Sequence, residues 1–197
     1  MREATQKCLK MIMQFEGCVL HAYKCLPSED YYTIGYGHYG ITDGNLTITK
    51  EQAEEYLKID LQNIYDALED YDRYYEFTDY EYDSLVSFCY NLGCGILAQL
   101  TQNYTRNKVE IADAILRYNK ANGAIVSGLV IRRNQEYKLF VKGVYPDGTS
   151  SDISNEVTDK ATIKEIVDMT IAGKFGNGED RKENWYKMLQ KFVNDRY

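Results

Sequence analysis

The sequence predicts an α+β protein, helical along most of its length with a short glycine-broken β segment near the start. Three observations carry this. Thr33-Ile34-Gly35-Tyr36-Gly37-His38 is a β-branched and aromatic run interrupted by two glycines, as in a twisted hairpin strand. Ala53, Leu57, Leu61, Ile64 and Leu68 recur at helical spacing behind Thr49-Lys50-Glu51-Gln52, a capping-box sequence. Tyr82, Leu85, Val86, Phe88, Cys89 and Leu92 follow a second box, Thr78-Asp79-Tyr80-Glu81, and make an apolar face wide enough for a central core helix.

Taken in order, Cys8, Leu9, Ile12, Met13 and Phe15 predict a first helix, closed by Glu16 and stopped by Gly17. A carboxylic acid at the end of a buried helix is partly desolvated, and the helix dipole there disfavours an anion. Both effects suit Glu16 to proton donation near neutral pH. The β segment lies about twenty residues on and would form the opposite wall of a cleft. Residues 109–119 read as a further helix, ended by Gly123. The stretch from Val144 to Asn155 is turn-rich, and three acids with no Lys or Arg fall between residues 144 and 157, which reads as a linker. Helical spacing then returns in Ile163, Ile166, Val167 and Ile171, behind a third box, Thr162-Ile163-Lys164-Glu165. After it, Phe175, Asn177 and Arg181 sit at a glycine-flanked turn, offering a stacking face and polar donors to a ligand.

Composition narrows the function. Hydrophobic residues make up 44% of the 197 and charged residues 27%, enough for a real core in a protein that dissolves in water. A net charge of −7 argues against nucleic acid, which needs a cationic partner. Nineteen tyrosines suit sugar-binding surfaces and core packing equally. The five cysteines are odd in number and read as reduced thiols of a protein made in the cytosol. Cys89 and Cys94 are close enough in sequence for a regulatory disulfide, although free thiols fit a reducing compartment better. With two histidines and no Cys-x-x-Cys, no metal pattern appears. The first residues lack a signal-peptide core, and no apolar run approaches a membrane span.

The string Glu16, eight residues, Cys25, then Thr33-Ile34-Gly35-Tyr36-Gly37-His38 resembles the phage-type lysozymes, glycoside hydrolase family 24. The resemblance continues through Asp83–Gly93 and through Gly128–Phe140, with its Arg132-Arg133 pair. It implies a two-lobed lysozyme-like domain: a small lobe with the hairpin, a long connecting helix from residue 50, and a helical lobe. It implies Glu16 as the general acid and Thr33 as the residue that faces it across the water. Cys25 falls where the family has Asp, or sometimes Cys. A neutral thiol is a poor base, so Asp30, on the same turn, is a possible substitute. The gap from Cys25 to Thr33 is two residues longer than the family's usual spacing, which bears on the geometry of the hairpin.

The resemblance further implies a structural pair between His38 and Asp60, a place for Asn91 at the sugar cleft, and an arginine reaching back to Glu16. Asn91 reads equally well as a helix cap before Gly93. Arg132 and Arg133 stay open as alternatives for the Glu16 partner, the other facing solvent. The segment from residue 158 to 197 resembles one CW-seven type cell-wall-binding repeat, a small three-helix module, with Phe175, Asn177 and Arg181 as its wall contacts.

The expected organisation is a catalytic domain at 1–143, a linker at 144–157 and the repeat at 158–197. The expected activity is that of an endolysin. It hydrolyses the β-1,4 bond between N-acetylmuramic acid and N-acetylglucosamine in bacterial peptidoglycan, without metal or cofactor. A lytic transglycosylase on the same bond and a wall-binding protein that has lost catalysis are the alternatives. A monomer is expected, made in the host cytoplasm, not inserted in the membrane, and dependent on a holin to pass it.

Overall fold

The computed structural model describes residues 2–148; the expected repeat at 158–197, with Phe175, Asn177 and Arg181, lies outside the described residues. Helix α1 (Gln6–Glu16) starts where the Thr5 hydroxyl accepts the Cys8 N–H at 3.2 Å. It stops at Gly17, whose φ of 69° is open to glycine and whose N–H reaches the Met13 carbonyl. Cys8, Leu9, Met11 and Ile12 form its buried stripe.

A three-stranded antiparallel sheet follows: β1 (Val19–Tyr23), β2 (Tyr32–Gly35) and β3 (His38–Ile41), in that order. The expected hairpin is β2–β3, and β1 joins it as a third strand. Ile34 and His38 are cross-strand partners and turn the same way, toward the next helix. A Cβ at Gly35 would meet the Ala53 Cβ at 3.1 Å, so glycine is what lets the sheet lie this close.

Helix α2 (Lys50–Tyr75) has 26 residues and is about 39 Å long at the usual rise. Its capping box is formed: the Thr49 N–H donates to Gln52 Oε1 at 2.8 Å, and the Gln52 N–H returns to the Thr49 hydroxyl at 3.2 Å. The sheet packs on its first turns through Ala53, Tyr56 and Asp60, while Leu61, Ile64, Tyr65 and Leu68 continue the stripe into the helical core. Helix α3 (Asp79–Leu92), also boxed at Thr78 and Glu81, is the core element: every residue from Tyr82 to Cys89 is buried. It contacts α1, α2 and, most extensively, α6 (Ser127–Lys142). Burial on all sides explains why its apolar face is broad rather than a stripe.

A 3-10 turn (Cys94–Ile96), the short α4 (Leu97–Leu100) and α5 (Lys108–Ile115) complete the helical part before α6. Here the structure departs from expectation. The helix expected over 109–119 ends at Ile115. Lys120–Ala121 (β4) and Ala124–Ile125 (β5) then pair as a small hairpin. Its turn is Asn122-Gly123, with φ of 50° and 79°, the dipeptide best able to hold two left-handed residues.

Close packing continues past residue 143, the expected end of the catalytic domain. Tyr145, in the stretch read as linker, is buried with Met11 and Leu139 beneath α1. Its hydroxyl donates to Asp83 Oδ2 at 2.5 Å, and the same carboxylate accepts the Thr5 N–H at 3.0 Å. The start of α1, the first turns of α3 and the segment after α6 are thereby tied at one buried acid. Burial pushes the Asp83 carboxyl up, against the lowering effect of these bonds. No helix among the described residues is long and apolar enough to cross a membrane.

Candidate active site

Glu16 is the last residue of α1, so its side chain leaves the helix where the chain turns into β1. It is 24% exposed and accepts a hydrogen bond from Arg132 Nη1 at 2.6 Å. Arg132 is therefore the arginine that reaches Glu16. Its Nη2 donates to the Ser87 carbonyl at 3.1 Å, its Nε to Glu136 Oε1 at 3.1 Å, and its guanidinium lies 4.8 Å from the centre of the Phe15 ring. Every edge of the planar fork is engaged, which is how arginine holds a carboxylate in one orientation.

Arg133 does not face solvent, contrary to expectation; it is wholly buried. Its Nη2 donates to Glu136 Oε1 and to Asn91 Oδ1, both at 3.0 Å. Its Nε lies 2.7 Å from Glu136 Oε2 as an ion pair off the hydrogen-bonding line. Burial lowers the Arg133 pKa, while the adjacent Glu136 charge acts in the opposite direction. Asn91 is not the cap of α3, which is Gly93; its amide oxygen is held by Arg133 on the last turn of the helix.

The three-stranded sheet carries the other candidate residues. Thr33 is buried and pairs with Tyr23 of β1 and Tyr39 of β3, so these three side chains share a face. Ile34 and His38 take the face toward α2. His38 Nδ1 lies 2.9 Å from Asp60 Oδ1 there, and its ring stacks on Tyr56 at 4.3 Å. The pair is half-buried, and it stands on the side of the sheet opposite Thr33. Tyr23, on the Thr33 face, has a hydroxyl pushed up by burial and then by Cys25, with smaller effects from Glu16 and Glu29. The groups whose charges bear on Tyr23 thus come from the end of α1 and from the loop after β1. Tyr90 of α3 donates to the Tyr36 carbonyl at 2.9 Å, tying the hairpin turn to the helical core.

Cys25 is exposed at the start of the loop after β1. Its N–H donates to Glu29 Oε2 at 2.9 Å, and the loop is further closed by Lys24 Nζ donating to the Glu29 carbonyl at 2.6 Å. The carboxylate folded against Cys25 is therefore Glu29. Asp30, the substitute expected from sequence, is exposed one residue further on. Glu29 and Glu136 are the two site residues that sequence reasoning missed. Glu29 was detectable as an acid four residues after Cys25, the reach of a closed loop. A cavity of about 210 Å³ lined by Arg2, Tyr65, Glu69, Asp72, Arg73 and Tyr82 contains none of these residues.

Residues 13–136 match the family described as phage lysozyme. The chain is 36% identical to the endolysin of Bacillus phage PZA over 179 residues, 89% of this chain and 69% of that protein. It is 35% identical to the endolysin of Lactococcus phage c2 over 184 residues, 93% of this chain and 76% of that one. Among solved structures, the endolysin of Escherichia coli O157:H7 phage FAHEc1 superposes with a TM-score of 0.60 at 33% identity. That match covers 74% of this chain and 97% of the other.

Proposed function

The chain belongs to the phage lysozyme family and is a glycoside hydrolase of the lysozyme type, and from that premise we propose how its side chains divide the work. The bond cut is the β-1,4 link between N-acetylmuramic acid and N-acetylglucosamine in peptidoglycan, and cutting it lyses the host cell. Glu16 is the acid that protonates the glycosidic oxygen. The observation that carries this is the 2.6 Å bond from Arg132, which fixes the Glu16 carboxyl at the open end of α1. Arg132 binds one carboxyl oxygen, and the other remains to carry the proton.

Water approaches from the sheet side, where the Thr33 hydroxyl and Cys25 stand on or beside one face. This is the inverting arrangement, in which a water fits between the acid and the group that activates it. Glu29, fastened to the Cys25 amide, is the acid of that loop best placed to draw the water's proton, with Asp30 as the alternative. Asn91, held by Arg133, lines the sugar side. The His38–Asp60 pair serves the fold, since it lies on the far face of the sheet. The test is end-group analysis. Borohydride reduction of walls digested by the protein should label new muramic acid ends; label on glucosamine ends would assign the other glycosidic bond.

The tail enters the reading by sequence resemblance alone. Residues 158–197 would hold the enzyme to the wall through Phe175, Asn177 and Arg181. Such an anchor offsets the poor long-range attraction between an acidic protein and an anionic polymer. Deleting residues 150–197 is expected to weaken sedimentation with purified walls more than activity on a small soluble glycan. Unchanged wall affinity would reduce the tail to a structural appendage. The same reading has the enzyme act as a monomer and wait in the host cytoplasm until a holin opens the membrane.

A further inference from the structure

We infer that Glu136 is a positioning residue for this reaction: one buried carboxylate orients Arg132 against Glu16 and Arg133 against Asn91. The inference rests on the reading of Glu16 as the acid. Glu136 is 0% exposed, so it meets neither substrate nor bulk water. Its Oε1 accepts from three donors, the Ser87 hydroxyl at 2.8 Å, Arg133 Nη2 at 3.0 Å and Arg132 Nε at 3.1 Å. Its backbone carbonyl accepts the Ser84 hydroxyl at 2.7 Å, which locks α6 to α3 at this residue.

Arginine's donors lie in one rigid plane, so fixing Nε fixes where Nη1 points. With Nε on Glu136 and Nη2 on the Ser87 carbonyl, Arg132 has a single direction left for Nη1, and that direction is Glu16. Arg133 is constrained the same way. Glu136 on one edge and the Phe88 ring 4.9 Å from the guanidinium carbon leave Nη2 to reach Asn91. A surface salt bridge would not transmit geometry like this, because long side chains there remain mobile.

The charges give a signed test. Glu136 faces both arginines: burial raises its pKa, while the charges of Arg133 and then Arg132 act in the opposite direction. Removing the Glu136 charge leaves an excess positive charge beside Glu16, which then holds its proton less firmly. Asp83 of α3 faces this network through Cys8, its carboxyl raised by burial, and the thiols and phenols around it stay neutral through the working range. From α1, the buried Cys8 thiol is raised well above its usual value by burial, then by Asp83 and Glu136. From α3, burial raises the Tyr90 hydroxyl; Cys89, a free thiol, is raised by its side-chain hydrogen bond with Cys94, then by burial. From β1, Tyr23 is raised by burial. The alkaline limb of activity is therefore the readout of the Glu136 charge.

The experiment compares wild type, Glu136→Gln and Glu136→Asp on purified peptidoglycan across pH, with near-ultraviolet dichroism to verify the fold. In a folded Glu136→Gln the alkaline limb is expected to move to lower pH by roughly half to one unit. Glu136→Asp keeps the charge and shortens the reach. It should hold the limb in place while turnover falls about tenfold at unchanged wall affinity, since the acid is misplaced and not retuned. A folded Glu136→Gln with its limb at the wild-type pH would overturn the proposal. Should that variant fail to fold, Glu136→Asp decides, and wild-type turnover in it overturns the proposal equally.

Discussion

Glu16→Gln is expected to lower turnover on peptidoglycan by about 10²–10⁴-fold, the usual contribution of a positioned general acid. Glutamine keeps the length and planarity of the side chain and still offers an oxygen to Arg132 Nη1. What it lacks is a proton to give to the leaving sugar oxygen. The fold should survive, because Glu16 is partly exposed at the end of α1 and contributes nothing to the buried stripe of that helix. Turbidity loss of purified walls gives the rate, and sedimentation with the same walls shows whether binding persists. Wall clearing at the wild-type rate would remove Glu16 from the mechanism.

Arg132→Met is expected to have the larger effect on stability, about 3–5 kcal/mol, the usual result of removing one partner from a buried ion pair. Arg132 is 6% exposed and serves two carboxylates, Glu16 and the fully buried Glu136. Methionine fills part of the space over the Phe15 ring but leaves Glu136 with Arg133 and Ser87 alone. The Ser87 carbonyl loses its side-chain donor as well. Activity should fall too, since nothing then fixes the direction of Glu16. Urea unfolding measures the first effect directly, and a loss below about 1 kcal/mol, the range of exposed pairs, would place Arg132 among surface ion pairs.

Much of this was legible in the sequence where local rules suffice. The end of α1 at Glu16-Gly17, the capping boxes at Thr49 and Thr78 and the core face of α3 depend on neighbours within a turn or two, and periodicity records them. The contact between His38 and Asp60, 22 residues apart, needed the family resemblance as well. What escaped is what depends on tertiary packing. Arg132 and Arg133 are adjacent on α6 and about 100° apart around its axis, and no local rule states which points at α1. Burial of Arg133 was unexpected because an arginine in isolation belongs at the surface. Here Glu136, three residues on, faces α3 with it and supplies the counter-charge.

Two other departures had signals in plain view. Asn122-Gly123 is a strong hairpin dipeptide, outweighed by the helical composition before it. Tyr145 sits among turn residues that read as linker, yet its ring packs with Met11 and Leu139 and its hydroxyl finds Asp83. A tyrosine two residues after a helix-ending glycine is the kind of residue that closes a domain. Composition averaged over twelve residues hides it.

The measurement that bears most directly on the central claim is the fate of one oxygen. Peptidoglycan digested in heavy-oxygen water should yield muramic acid ends that carry one solvent oxygen at the new reducing carbon, at a rate that collapses in Glu16→Gln. Products ending in anhydromuramic acid with no label would contradict the account. They would mean that the sugar's own hydroxyl, not a water held opposite Glu16, completes the cleavage.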